Sequence, residues 1–350
     1  MHPTLSTAPG LALPSPWGIF EILLLVTLAA HLLAVNVALG GTLIALISPG
    51  ATRDAATALG RKLPTTVAVA VNLAIPPLLF ASVLYGQHLY SAAVLSAVTW
   101  LSLFMAVMIA YALLYYAQPR LALAASRPAL LVAACLLLAA SLVLVNVSTL
   151  SIRPAAWMAY FDNPGGTILN FSDATFWPRW LHFVTASLAV AGLFLAFVGG
   201  RAAVAGDGAA AARKRLGLAW FTRATMAQFL VGLWFLFSLP HEVRFAFLGG
   251  DGLATGMLLA GVCLAGAALV QGVKGRTGAA VLFTVGAILA MVVVREFVRM
   301  LALAPEYSPA KLPVAAQYGP FVMFLAACAG VAAVVVWAVG CYRRQAGKGA

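Results

Sequence analysis

The sequence predicts an all-α integral membrane protein of nine transmembrane helices, with the N-terminus outside and the C-terminus inside. Three observations carry that reading. Hydrophobic residues make up 63% of the 350 and charged residues only 9%, more apolar surface than a water-soluble domain with a polar exterior can hide. The apolar residues form long runs separated by short polar loops, a pattern of helices rather than barrel strands. The cations fall unevenly between alternate loops, which fixes orientation.

The nine runs cover roughly 18–48, 66–87, 93–117, 128–149, 179–200, 222–239, 253–272, 278–303 and 319–341. The first is longer than a bilayer needs, so it tilts or projects. The stretch before it, "MHPTLSTAPGLALPSP", lacks the positive region of a cleaved leader, so the first run reads as a retained span. The loops after spans one, three, five and seven, with the C-terminal tail, hold fifteen of the 21 lysines and arginines; seven of the nine acids lie on or near the other side. The net charge of +12 is therefore topology and gives no reason to expect nucleic acid.

The whole of 1–350 reads as a single membrane domain. Within it, 18–149 forms a first four-helix unit, 179–303 a second, and 319–341 the ninth span. Residues 150–178, "LSIRPAAWMAYFDNPGGTILNFSDATFWP", read as an ordered cap over the outer surface, given their aromatics, prolines and glycines. "GGRAAVAGDGAAAARKRLG", Gly199 to Gly217, reads as a plain inner connector. The four cysteines all lie in spans or at a span end, and no C-x-x-C-H exists for covalent haem.

Ionisable groups inside a bilayer default to a functional hypothesis. His31 lies in span one, nearer mid-depth. His88, His182, His241, Glu242, Arg295, Glu296 and Arg299 converge on the outer leaflet, which suggests a shared site. Zinc is unattractive without H-E-x-x-H or a close Cys/His cluster. Haem b needs only one or two axial ligands set on facing helices around an apolar slot. The small residues of "HLLAVNVALGGTLIAL" and "ASLAVAG" would admit a flat macrocycle, and would equally suit close helix packing without one.

Several stretches resemble subunit I of the cytochrome bd quinol oxidases, in motif and in order, across most of the chain. "LAAHLLAVNVALGGTLIALI" is similar to the family's first span, and "VNLAIPPLLFASVLYGQHLY" to its second. "AAWMAYFDNPGG" is similar to its outside loop, "RWLHFVTASLAVAGLF" to its fifth span, and "ATGMLLAGVCLAG" to its seventh. "VVVREFVRMLAL" falls where the family has a glutamate followed by Gly-Arg-Gln-Pro-Trp.

The resemblance implies nine spans in a bacterial inner (cytoplasmic) membrane and more than one haem b, with a haem d-like site. It places His182 and Met257 as axial ligands of a low-spin haem, a pairing that raises its potential. It makes His31 and Glu296 ligands and catalytic groups at the oxygen-reducing haems, and Arg299 a partner for a haem propionate. A second membrane subunit is implied.

The departures are specific. The third span has no acid: Thr99 and Val107 stand where the family carries glutamates, and the loop that binds quinol in the family is here only "PHEVRFAFLGGD". The expected function is thus electron transfer from a periplasmic cytochrome c, quinol or partner subunit. The alternatives are an active terminal oxidase and a cofactor-free transport or assembly subunit.

Overall fold

The computed structural model describes residues 12–48, 53–121, 123–204, 209–304 and 306–346. The expectations that rest on residues 1–11, at the start of the leader stretch, and on Lys348 fall outside them. Among the described residues the chain is helical, without a sheet; a lone parallel bridge pairs Leu13 with Val314. It is a multi-pass, all-α membrane protein: eight stretches are long and apolar enough to cross a bilayer. By contact it divides into two compact units, Met1–Ile22 with Glu306–Ala350, and Leu23–Pro305.

The larger unit follows the apolar runs. Helix α1 (Trp17–Ile47) starts after Pro16 and ends where Ser48 turns its hydroxyl back to the Ile44 carbonyl. Thr27 and Thr42 satisfy their hydroxyls in the same way, on carbonyls four residues back, so neither needs water. A short helix, α2 (Arg53–Gly60), precedes α3 (Leu63–Leu95), which contains Pro76 and Pro77 and breaks helical geometry at Tyr85. Helix α4 (Ala97–Ala117) follows after one residue, Ser96. The expected gap between spans two and three is therefore much shorter than 87 to 93, because His88 and Tyr90 continue the helix despite their polarity.

Helix α5 (Arg127–Ser151) starts with Arg127-Pro128, proline in the first turn being compatible with a helix start. It packs on α4 through Ala110, Leu114, Ala117, Ala129, Leu130 and Ala133. Helices α6 (Phe176–Val204) and α7 (Ala210–Ser238) form the closest pair. A Cβ at Gly217 would collide with the Ala196 backbone and the Gly192 carbonyl, so glycine is what lets these helices touch. Of the Gly199–Gly217 connector, residues 199–204 continue α6 and residues 210–217 begin α7, alanine and arginine being strong helix formers.

Helix α7 carries the expected sixth span, yet it is not among the eight apolar stretches, since Arg223 and Gln228 dilute its hydropathy. The "PHEVRFAFLGGD" loop is a short helix, α8 (His241–Phe245), and a π-type turn whose Gly249 takes φ of +117°. Asp251 then caps α9 (Gly252–Val273), accepting the amides of Leu253 and Ala254, each at 2.9 Å. Helix α10 (Thr277–Leu303) returns against α9 after a turn at Gly275, φ +70°.

In the smaller unit, Leu13 exchanges backbone hydrogen bonds with Pro313 and Ala315, and α11 (Tyr318–Ala346) follows.

Candidate functional site

The polar side chains of the larger unit gather where α3, α5, α6 and α10 meet the 150–178 loop. Asn146, fully buried on α5, holds that loop down. Its Nδ2 donates to the Ile168 carbonyl at 3.0 Å and its Oδ1 accepts the Asn170 amide at 2.7 Å. Trp157 donates to the Leu150 carbonyl at 2.8 Å, and the Gly166 carbonyl accepts from Val98 at the start of α4. Arg153 pairs with buried Asp173 at 2.7 Å.

Under this loop, α10 presents Arg295, Glu296 and Arg299. Glu296 is 2% exposed, and both of its oxygens lie near Arg299 Nη1, at 3.3 and 3.1 Å. The Arg299 guanidinium also stands 4.5 Å over the Tyr85 ring. Arg179, in the first turn of α6, lies over Phe235 at 5.0 Å and is only 3.5 Å from the Ser148 hydroxyl; its Nε and Nη2 are buried without a hydrogen-bond acceptor. Arg179 is within electrostatic range of Asp173, Arg153 and Arg299, and Arg295 of Arg299, Glu296 and Arg179. Four arginines against two carboxylates leave a positive excess in a place where charge is expensive. A cavity of about 20 Å³, lined by Tyr85, His88, Ser151 and Arg299, lies beside the pair and has room for a water.

The histidines divide. His182 sits one turn beyond Arg179, half-buried, its Nδ1 buried and lacking a hydrogen-bond partner. Gly232 and Phe235 of α7 face its ring; a Cβ on Gly232 would come within 3.2 Å of His182 Cε1. His31 directs Nδ1 to the Ala70 carbonyl of α3 at 2.9 Å. Because a carbonyl only accepts, that nitrogen carries the proton and Nε2 keeps its lone pair. His88 is buried edge-on to Trp157, with ring centroids 5.8 Å apart. His241 is exposed and stacked on Phe245.

Of the residues singled out from the sequence, Glu296 and Arg299 come together, and His182 joins their neighbourhood through Arg179. Met257 is half-buried on α9, which packs on α7 and α10, while the groups found against His182 are on α7. Thr99 bonds the Ser96 carbonyl, and Val107 packs into the α4–α5 core. Trp180 donates to the Ser141 hydroxyl at 2.8 Å. Arg179 and Asn146 were missed as site residues. The signal for Arg179 was its position three residues before His182, on the same helical face. Among the described residues, no three His, Cys, Asp or Glu side chains form a metal-binding group. No protein-family model and no curated protein matches the chain.

Proposed function

We propose that this chain is a haem b-binding subunit of a cytochrome bd-like membrane redox complex. The observation that carries the reading is the buried, unpartnered Nδ1 of His182 opposite Gly232. An orphaned imidazole nitrogen in a low-dielectric interior costs about 1–3 kcal/mol, a cost that coordination to iron removes. The donor set suits a porphyrin better than a bare ion, since haem asks for only one or two protein ligands.

In this reading nine helices span a bacterial inner membrane, with α7 as the sixth and the N-terminus outside. His182 and Met257 hold one iron. His31 is oriented for ligation by the Ala70 carbonyl, the kind of outer-shell hydrogen bond that fixes a ligating imidazole. Arg179, Arg295 and Arg299 would offset carboxylate charge on a bound macrocycle, and Glu296 would serve a second, haem d-like site. Bound haem supplies one-electron redox chemistry. The chain's own work is to position that chemistry, keep water out with the fastened outer loop, and present a surface to a donor. With a short 240–251 segment, the donor is a periplasmic cytochrome c or a partner subunit rather than quinol.

A competing, cofactor-free reading draws on the Glu296–Arg299 pair, in which the carboxylate already has a cationic partner. A reduced-minus-oxidised spectrum with pyridine haemochrome quantitation separates the two. The proposal expects a Soret band that loses its low-spin component in His182→Ala and is perturbed in Met257→Leu. A colourless, folded preparation ends it. Oxygen uptake by the complex, abolished in His31→Ala, would raise the chain to a terminal oxidase that delivers its protons by a route other than α4.

A further inference from the structure

At the other end of the larger unit, α7 outruns its neighbour. A Cβ at Gly272 would strike the Phe221 ring and approach Thr222, which sets the end of α9 level with the middle of α7. Helix α9 stops at Val273, so roughly three turns of α7 continue past it. The step between them is a groove lined by Ala211, Lys214, Arg215, Leu218, Thr222 and Val273.

Its lining is graded. Residues 211, 214/215, 218 and 222 recur at three- and four-residue spacing, so they lie on one face of α7. Lys214 and Arg215 stand at the polar end of that face, Leu218 and Thr222 toward the apolar run. Val273, 72% exposed, forms the opposite wall. Among the described residues, no carboxylate lines the groove. Lys274 and Arg276 follow in the adjoining turn.

We propose that this groove holds an anionic phospholipid, its phosphate on Lys214 and Arg215 and the start of an acyl chain along Leu218 and Val273. A headgroup needs cations at the water boundary, and an acyl chain needs an apolar wall directly below; the graded face of α7 supplies both in that order. A soluble phosphate would use the cations but leave the apolar half of the groove in water.

The site is independent of haem binding, and its test needs no redox activity. Full-length protein is purified in mild detergent and exchanged into phosphatidylglycerol or phosphatidylcholine, and retained lipid is read by native mass spectrometry. Wild type should retain phosphatidylglycerol with roughly tenfold preference, the effect expected of two cations at a headgroup. The preference should collapse in K214A/R215A and persist in R120A/R127A, which removes two cations elsewhere in the larger unit. Equal retention of both lipids by wild type overturns the proposal even if the double variant does not fold. So does an unchanged preference in that variant, or thermal stabilisation by inorganic phosphate equal to that by phosphatidylglycerol.

Discussion

His182 and Gly232 meet ring to backbone across the α6–α7 interface: a methyl group on Gly232 would lie 3.2 Å from His182 Cε1, close enough that the ring would have to give way. The glycine leaves the imidazole its place, and nothing on α7 offers the ring nitrogen a hydrogen bond.

Gly232→Ala should therefore displace the ring while leaving the helix intact, since alanine is the better helix former by about 1 kcal/mol. The expected result is a shifted or weakened low-spin band with little change in thermal stability. An unaltered spectrum would separate His182 from any pigment.

Gly217→Ala tests the opposite case. Its added carbon would meet backbone on two sides, at Ala196 and Gly192, and backbone cannot rotate away. Overpacking of about 1–3 kcal/mol is expected, visible as a lower unfolding temperature in detergent whatever the cofactor content.

Asn146→Ala should release the 150–178 loop. The substitution strands the Ile168 carbonyl and the Asn170 amide, each buried polar group costing about 1–3 kcal/mol when unpaired. Limited proteolysis should then cut between Arg153 and Asp173 faster than in wild type; an equal rate would mean the loop is fastened elsewhere.

Glu296→Gln leaves Arg299 facing an uncharged partner in an interior already rich in arginine. Breaking a buried pair from one side costs about 3–5 kcal/mol. If the carboxylate serves only Arg299, the double variant Glu296→Gln/Arg299→Gln should recover much of that loss with spectra unchanged. Loss of a haem signal in both variants would assign Glu296 to iron instead.

Hydropathy alone read most of the helical architecture, because apolar runs of bilayer length have few other uses. It did not show that α6 and α7 extend into residues 199–217 on alanine and arginine, and it misjudged the α3–α4 junction, where His88 and Tyr90 sit inside a helix. Histidines 31 and 182 were conspicuous because imidazole is rare in spans. Their partners were not: Ala70 contributes a carbonyl and Gly232 an absence of side chain, and neither leaves a mark in the residue pattern. Asn146 was equally silent, since its two bonds run to backbone twenty-odd residues away.

Ser96 alone separates α3 from α4. A joint of that length leaves little slack, so the end of α3 and the start of α4 are held side by side, where Ser96 turns its hydroxyl back to the Ala92 carbonyl at 2.8 Å.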